Sequence, residues 1–409
     1  MRTLYDWECH LETLSPPSHI ELGLERVRLV WSRLKRPGPS QVITVAGTNG
    51  KGSTVEIAGV IADHAGLSYG QYTSPHIHRI HERIRINGQM VSDDQLVRAF
   101  ETVEAAQSGV FLTYFEFLTL VCFVLFDDAR LDLWILEIGL GGRLDAVNII
   151  DPDVSVITSI GLDHQIYLGD SLEAIASEKA GVMRPGIQTF SAALNVRDVL
   201  LAETQRYGAQ LSWIDENFDG QIVSLPESGV TLDVSGVHLP KTSVALACLA
   251  MDALGYEMSR SIEHKLAQAS VMGRMSRQLI DGRRYILDVG HNPLACEYVT
   301  QSLKKVIPVS ERVVIFGALA DKDVDSMLPI LRAYTERVVL VGIEGARGRS
   351  IYALQASWSS LFGQTCWRSF AKLEDAMREL PSELNLDDQV LVIGSFLLVA
   401  DALRHDLFN

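Results

Sequence analysis

The sequence is poor in cysteine and has no closely spaced cysteine pair. No CxxC motif occurs among the five widely separated cysteines of the 409 residues, Cys9, Cys122, Cys248, Cys296 and Cys366. The odd number and wide spacing of the cysteines argue against a disulfide framework, and the lack of close pairs argues against a zinc ribbon. We therefore interpret all five as small buried apolar side chains of a protein in a reducing cytosol.

Long apolar segments are also missing. The longest apolar run, Phe117 to Phe126, has ten residues and includes Thr119, whereas a membrane-spanning helix needs about 20. The first fifteen residues contain no apolar core of the kind that a secretory signal peptide requires. We therefore expect a cytoplasmic protein that has no membrane partner.

Positive charge is scarce. The chain has 36 basic and 51 acidic side chains, which gives a formal net charge of −15. Proteins that bind nucleic acid non-specifically present a positive surface, so nucleic acid is not an expected partner. Any anionic substrate requires basic groups that are concentrated locally. The length and the 47% of hydrophobic residues suffice for the cores of two or three domains.

Short β-branched runs alternate with longer helical patterns, which is typical of parallel α/β sheets. In the first part we predict core strands at Gln41–Ala46, Asp132–Ile138 and Asp153–Ser159, and helices at Thr113–Phe126 and Ser171–Val182. The alternation restarts at Arg284. There we predict strands at Tyr285–Val289, Arg312–Phe316, Arg337–Gly342 and Gln389–Ile393, and a final helix at Leu397–Leu407. The apolar periodicity breaks over Gly273–Gly282. The sequence therefore predicts two domains, residues 1–276 and 283–409.

A glycine-rich segment separates the first predicted strand from a predicted helix. It consists of Gly47, Thr48, Asn49, Gly50, Lys51, Gly52 and Ser53. Glycines allow backbone N–H groups to surround phosphate oxygens, and the helix N-terminus favours negative charge. Lys51 can neutralise the β- and γ-phosphates, while the Ser53 hydroxyl can bind Mg²⁺. The spacing is GxxGKGS rather than GxxxxGK[ST], but its place between strand and helix predicts a phosphate loop that binds ATP.

Spelled VAGTNGKGST, this segment resembles the Mur ligase superfamily of ATP-dependent amide-forming ligases, and within it the folylpolyglutamate synthase/dihydrofolate synthase family. Matching segments occur in the same order along nearly the whole chain: LGLERV at 22–27, SPHIHRIHERIRINGQ at 74–89, LTYFEFLTL at 112–120, LEIGLGGRLDAVNIID at 136–151, GLDHQIYLG at 161–169, SEKAGVMRPG at 177–186, DVGHNP at 288–293 and GSF at 394–396. The resemblance implies an α/β fold with a P-loop domain around a central parallel sheet. A smaller Rossmann-like glutamate ligase domain would follow it.

Polar residues at the ends of two predicted strands suggest a metal site. Glu137 ends one strand and Asp163-His164 follows another, and with the Ser53 hydroxyl they could hold Mg²⁺. Each residue alone has a structural alternative, since Glu137 could be a satisfied core carboxylate and His164 a helix cap. The resemblance implies that Ser53, Glu137 and His164 are metal ligands.

Lys179 lies in a predicted helix, where the default interpretation is a solvated surface lysine. The resemblance implies instead that Lys179 is carbamylated and binds a second Mg²⁺. It also allows K⁺ as a further cofactor. Burial and nearby positive charge would lower the pKa of the amine, which favours reaction with CO₂.

A locally basic stretch contains His76, His78, Arg79, His81, Arg83 and Arg85. Its alternation with isoleucines is typical of an edge strand in a solvated hairpin, whereas its charge could concentrate an anionic substrate near the phosphate loop. The resemblance places Ser74, Pro75 and His76 near the transferred groups, which leaves both interpretations open. It implies that the catalytic residues are Lys51, His164, Lys179, Ser74 and His76.

The resemblance also implies an acceptor pocket for a pteridine, formed by Leu22, Thr113, Phe115, Asp145 and Ala146. An aromatic face and a carboxylate suit an aminopyrimidinone ring, although core packing is an equal alternative for Phe115. Nucleotide and glutamate contacts are implied for Arg274, Asp288 and His291, and a position near the glutamate for Ser395. These roles place the expected site between the domains, with closure excluding water.

Three departures from the family pattern leave the substrate open. A family asparagine is missing near residues 242–245, Leu397 and Leu398 replace His-Thr after GSF, and Met272 replaces a proline. The resemblance implies a ligase of folate biosynthesis that joins dihydropteroate or reduced folate to L-glutamate with ATP and Mg²⁺, and we expect it to be a monomer. The alternatives are a diverged paralogue that joins another acid and amino acid, and a non-catalytic nucleotide-binding regulatory protein.

Overall fold

The computed structural model describes residues 2–404 apart from Asp281, Ala346 and Gln364, and it describes Ile280 without its side chain. The chain forms two compact units, Met1–Ala269 and Ser270–Asn409. The division precedes the predicted boundary region, and the strand Ser276–Ile280 pairs with Arg283–Asp288 inside the second unit. Each unit has an α/β architecture built on a mainly parallel sheet, as the sequence predicts.

The first unit contains an eight-stranded sheet in the order β4-β3-β2-β5-β1-β6-β7-β8. The strands are β1 Gln41–Ala46, β2 Tyr69–Tyr72, β3 Ile84–Ile86, β4 Gln89–Met90, β5 Leu133–Glu137, β6 Val154–Ile157, β7 Gln188–Ser191 and β8 Gln210–Trp213. All neighbours from β2 to β8 pair in parallel, whereas β3 and β4 add an antiparallel hairpin at one edge. A separate antiparallel pair follows, β9 Ile222–Ser224 and β10 Thr231–Asp233.

Ten helices of the described first unit accompany this sheet. They are α1 Leu4–Leu14, α2 Glu25–Leu34, α3 Lys51–His64, α4 Asp93–Gln107, α5 Tyr114–Ala129, α6 Gln165–Leu168, α7 Leu172–Ala180, α8 Arg197–Tyr207, α9 Lys241–Ala253 and α10 Glu263–Gln268. The predicted helix Ser171–Val182 is α7, and the hydroxyl of Ser171 at its N-cap accepts a hydrogen bond from the amide of Ala174. Short polar side chains at this position satisfy backbone donors that the first helical turn leaves unpaired.

The core of the first unit explains why its central strands are apolar throughout. β1 is buried on both faces between β5 and β6, which is typical of a parallel sheet covered by helices. Phe123 of α5 stacks on Trp134 of β5, with ring centroids 5.6 Å apart. The register pairs Val45 with Glu137 and Ala46 with Ile157, so the carboxyl ends of three adjacent strands lie side by side. Open α/β sheets bind their ligands at such an edge.

The second unit contains a six-stranded sheet in the order β11-β12-β16-β13-β14-β15. Its strands are β11 Ser276–Ile280, β12 Arg283–Asp288, β13 Arg312–Phe316, β14 Val338–Val341, β15 Arg368–Phe370 and β16 Gln389–Ile393. Its helices are α11 Pro293–Lys304, α12 Val324–Tyr334, α13 Ile351–Phe362, α14 Leu373–Glu379 and α15 Phe396–Arg404. Only β11 is antiparallel to its neighbour. The last residues of the predicted helix Leu397–Leu407, 405–407, lie outside the described part of the chain.

The structure bears on the predictions for the cysteines and for membrane-spanning segments. All five cysteines are free thiols, but Cys9 is exposed and Cys366 is only half-buried, so the prediction of five buried cysteines is wrong. Cys9 faces solvent because α1 buries Trp7 and Leu11, which lie on its opposite face. In the described residues, no helix has the length and apolar character needed to cross a membrane.

Candidate active site

The glycine-rich loop joins the end of β1 to the start of α3, in the strand–loop–helix arrangement that the sequence predicts. Gly47 and Gly50 both have positive φ angles, +143° and +91°. A Cβ atom on Gly47 would overlap Thr158 Oγ1, so a larger residue cannot take this path. The backbone of the loop therefore depends on glycine at both positions.

Side chains outside the loop hold its carbonyl groups. Thr158 Oγ1 and Ser159 Oγ, which follow β6, donate to the carbonyl of Asn49 at 2.7 and 3.1 Å. Ser243, in the first turn of α9 and almost fully buried, donates to the carbonyl of Gly50 at 3.1 Å. The sequence motif did not identify these three residues, because they approach the loop only through the sheet order and helix packing.

Two lysine amines share one carbonyl oxygen of the loop. Lys51 Nζ lies 3.1 Å from Gly47 O, and Lys179 Nζ lies 2.8 Å from the same oxygen. Lys179 is 5% exposed, so its interpretation as a solvated helix lysine is wrong. Burial, and next the charge of Lys51, lower the pKa of Lys179 to about 7, although the charges of Asp163 and Asp145 oppose this. A large fraction of this amine is therefore neutral near neutral pH.

The Glu137 side chain reaches from the end of β5 to the start of α3, the helix that follows the phosphate loop. Its carboxylate is buried at the end of β5 and accepts a hydrogen bond from the amide of Ser74 at 3.3 Å. A Cβ atom on Gly52 would lie 3.5 Å from Glu137 Oε2, and the buried Ser53 is the next residue of α3. The structure thus brings the Glu137 carboxylate to the first turn of α3, the turn that contains Ser53.

Asp163 and His164 lie in the segment that follows β6, the strand next to β1 in the sheet. His164 has a φ of +50° immediately before α6, and its side chain is 38% exposed. Asp163 Oδ1 accepts a hydrogen bond from the His164 amide at 2.9 Å, and the Asp163 charge acts on Lys179. The sequence motif assigned no role of its own to Asp163, although its place at a strand end was visible.

No three His, Cys, Asp or Glu side chains converge on one point in the part of the chain that the structure describes. The predicted metal set contains only one glutamate and one histidine. It therefore requires two other kinds of ligand, the Ser53 hydroxyl and a modified Lys179.

The basic stretch is not one continuous strand. Of the stretch, only Ile84–Ile86 forms a strand, β3, which pairs with β2 and with the edge strand β4, so the edge-strand interpretation does not hold for residues 76–83. The Glu82 carboxylate accepts hydrogen bonds from the amides of residues 77, 78 and 79 and holds the preceding loop. Arg83 Nε donates to His76 Nδ1 at 2.9 Å, and His81 contacts Asp93.

The predicted pocket residues Phe115 and Asp145 meet at the segment that follows β5. A Cβ atom on Gly139 would overlap the Phe115 ring, and Asp145 Oδ2 accepts from the Leu140 amide at 2.8 Å. Ala146 follows Asp145 and is buried. Burial raises the pKa of Asp145 to about 7, although the backbone amides and Lys51 oppose this. Near neutral pH the side chain can therefore exist in either protonation state.

Leu22 and Thr113 border the same region from other elements. The carbonyl of Glu21 and the carboxylate of Glu116 both accept from Arg26 Nη2, at 2.9 Å each. This link ties the half-buried Leu22 segment to the start of α5. The Thr113 hydroxyl accepts from the Glu116 amide and therefore caps α5.

In the second unit, two of the four predicted residues lie beside one aromatic ring. The Arg274 guanidinium lies 5.4 Å from the ring centroid of Phe396, and the His291 ring centroid lies 5.8 Å from it. Asp288 accepts from the amides of residues 275 and 290, and burial raises its pKa, while Arg274 opposes the shift. Ser395 is fully buried, and its hydroxyl caps α15 by accepting from the Leu398 amide at 3.0 Å.

Comparisons with known proteins agree over almost the whole chain. The family model described as Mur ligase, glutamate ligase domain, matches residues 273–396. The dihydrofolate synthase/folylpolyglutamate synthase of Escherichia coli (strain K12) is 38% identical over 413 aligned residues, which cover 98% of this chain and 95% of that protein.

Two solved structures are similar to the chain over the same extent. E. coli FolC in complex with DHPP and ADP has a TM-score of 0.89 at 35% identity, with 98% of this chain and 97% of that chain covered. A bifunctional folylpolyglutamate synthase/dihydrofolate synthase with Mn, AMPPNP and L-glutamate bound has a TM-score of 0.87 at 36% identity, with 98% of each chain covered.

Proposed function

The chain belongs to the dihydrofolate synthase/folylpolyglutamate synthase family, and we propose that it is an ATP-dependent acid–amino-acid ligase. It joins the carboxylate of dihydropteroate, or of a reduced folate, to the α-amine of L-glutamate. The observation that carries this proposal is the phosphate loop, whose Gly47 carbonyl accepts from both Lys51 and Lys179 and whose Gly52 lies close to Glu137. The DHPP, ADP, AMPPNP and L-glutamate bound in the similar structures support the choice of substrates.

The reaction has two steps. A carboxylate oxygen of the acceptor attacks the γ-phosphorus of ATP, ADP leaves, and an acyl phosphate forms. The glutamate amine then attacks the acyl carbon and loses a proton, and inorganic phosphate leaves with the former carboxylate oxygen. Lys51 and the loop amides orient the phosphates and offset their charge, which is the protein's main contribution to such a transfer.

A divalent metal ion fits the residues at the start of α3. Oxygen ligands are what Mg²⁺ prefers, and the buried Glu137 carboxylate lies against the first turn of α3, which contains Ser53. Glu137, Ser53 and His164 would hold the ion, which supplies positive charge to the β- and γ-phosphates when bound. The manganese in a similar structure supports a divalent ion at this type of site.

We assign Lys179 as a carbamylated lysine that holds a second metal ion. A buried amine with a large neutral fraction can attack the carbon of CO₂, and loss of one N–H proton to solvent leaves a carbamate anion with oxygen ligands. An unmodified Lys179 would place a second cation beside Lys51, where it would repel a metal ion.

The acceptor pocket in this proposal is formed by Leu22, Thr113 at the start of α5, Phe115, Asp145 and Ala146. The Phe115 ring offers a face for stacking, and Asp145 offers a carboxyl group to ring N–H donors. In the second unit, Arg274, Asp288 and His291 would contact the nucleotide and the incoming glutamate, with Ser395 holding the adjoining helix start.

We place the enzyme in the cytoplasm, in keeping with its five free thiols. Its partners are then small molecules, and we propose that it acts as a monomer. Light scattering with a mass other than 45.2 kDa would contradict the monomer.

The proposed activity predicts matched product formation. Purified protein incubated with Mg-ATP, L-glutamate and dihydropteroate should release one ADP for each dihydrofolate formed, and a reduced folate monoglutamate should give the diglutamate. Lys51→Ala is the control that should lose both activities. ADP release with neither product, but with another acid and amino acid, would indicate a diverged paralogue. Nucleotide binding without turnover on any pair would indicate a regulatory protein.

The metal assignment predicts a large loss on removing one carboxylate charge. Glu137→Gln keeps the size of the side chain but removes an anionic ligand, so turnover should fall by about 100-fold or more. The melting temperature should stay near that of the parent. Glu101→Gln, an exposed change on α4, is the matched control. Turnover equal to that of the parent would show that Glu137 holds no metal.

The carbamate assignment predicts a labelled adduct on one lysine. Protein equilibrated with ¹³C-bicarbonate should give a carbamate carbon signal in NMR, and Lys179→Ala should lose it. Lys265→Ala, which changes a lysine of 45% side-chain exposure, should keep the signal. A parent protein without the signal, in the presence of Mg²⁺, would overturn the assignment.

The contact from α9 predicts a defect in nucleotide binding. Ser243→Ala removes the hydroxyl that holds the Gly50 carbonyl, and the loss of one hydrogen bond of about 1 kcal/mol should raise the KM for ATP about fivefold. Thr242→Ala, an exposed change in the same helical turn, should leave it unchanged. Equal KM values for both variants would remove Ser243 from the nucleotide site.

A further inference from the structure

The contact between Arg83 and His76 determines which nitrogen of the imidazole carries its proton. Arg83 Nε lies 2.9 Å from His76 Nδ1. A guanidinium group has only donors, so Nδ1 must act as the acceptor and cannot carry a proton. The single proton of the neutral ring is therefore on Nε2.

The surroundings of this pair keep the imidazole neutral. Arg83 is 7% exposed and lies over the Tyr114 ring at 5.8 Å. Glu82 is the nearby carboxylate, and three backbone amides already occupy it. Burial and the Arg83 charge lower the pKa of His76 to about 4, while Glu82 opposes this. A second positive charge on the ring is thus disfavoured at physiological pH.

Neither group has an anionic partner within the described protein. Among the described residues, Arg83 forms no ion pair with a carboxylate, and the side-chain hydrogen bond of both groups is the one between Arg83 Nε and His76 Nδ1. A buried guanidinium without a counter-ion is costly, and an anion from outside the chain would offset that cost. His76 follows Ser74 by two residues, and the Ser74 amide donates to Glu137. The unpaired donor is therefore on the loop that contacts the proposed metal ligand.

We propose that Arg83 is a positioning residue that holds His76 as a neutral donor, and that His76 Nε2–H binds an oxygen of the acceptor carboxylate. This rests on the proposed ligase function. His76 has no free lone pair in this arrangement, since Arg83 occupies Nδ1 and the proton occupies Nε2. It therefore acts as a donor to the substrate and takes no proton from the glutamate amine.

The tautomer can be measured directly and without any turnover. Protein labelled with ¹⁵N-histidine should give a long-range ¹H–¹⁵N pattern for an Nε2–H imidazole that does not titrate between pH 6 and 8. His76→Gln identifies the signal by its loss. Arg83→Met, which removes the donor and keeps an apolar side chain, should allow tautomer exchange or titration in that range. A parent ring with its proton on Nδ1, or one that titrates there, would overturn the inference.

Substitutions of His76 then separate a donor from a general base. The amide of His76→Gln can donate from a position near that of Nε2, so it should keep much of the turnover. His76→Phe should raise the KM for the acceptor acid by about tenfold or more, as expected for losing a bond to a charged group. The affinity for ATP should be unchanged in both. If His76→Gln is as inactive as His76→Phe, His76 is not a neutral donor.

A conservative change at Arg83 tests the positioning role. Arg83→Lys retains a charged donor and should retain more of the Nε2–H tautomer and of the acceptor affinity than Arg83→Met. Arg79→Gln, an exposed change in the same loop, is the control. The NMR measurement of the tautomer does not depend on turnover, so it tests the role of Arg83 even if no ligase reaction is found. In that case the binding of the acceptor is measured by calorimetry with dihydropteroate.

Discussion

The Gly47 carbonyl oxygen is the point on which the rest of the site depends. Lys51 and Lys179 reach it from α3 and α7, two helices far apart in the chain. Burial, and next the repulsion between the two amines, lowers the pKa of one of them, so its proton is lost more easily. Lys179 is that lysine because it is the more deeply buried. The proposed chemistry of the site, with one fixed cation and one modified amine, follows from this shared acceptor.

The sheet order turns this contact into a site. The phosphate loop follows β1, while Glu137 ends β5 and Asp163 follows β6, and these two strands are the neighbours of β1. The hydroxyls of Thr158 and Ser159 fix the loop carbonyls from the β6 side. A cation between carboxylates and phosphates therefore has its ligands placed by the central strands of the fold. The same arrangement places the loop of His76 beside Glu137 through the Ser74 amide.

The sequence predicts those parts of the molecule that depend on local pattern. Continuous β-branched runs predict the core strands, and β1 has the predicted bounds. Burial and side-chain partners depend on tertiary neighbours, which explains why the sequence misplaces Lys179 and part of the basic stretch. Lys179 is charged and helical, yet the fold buries it against Gly47. The alternation of the basic stretch is typical of an edge strand, one of its two interpretations, but the Glu82 carboxylate accepts from three amides of residues 77–79 and holds a loop there instead. Ser243 was invisible to motif analysis, because only the packing of α9 on α3 brings it to Gly50.

The central claim is that the acceptor carboxylate itself attacks the γ-phosphorus. Transfer of the carboxylate oxygen tests it most directly. Dihydropteroate labelled with ¹⁸O in both carboxylate oxygens is incubated with the protein, Mg-ATP and L-glutamate, and the released phosphate is analysed by mass spectrometry. An acyl phosphate predicts one ¹⁸O atom in each inorganic phosphate and one in each new amide. Phosphate that contains no ¹⁸O, formed together with the amide product, would contradict the account.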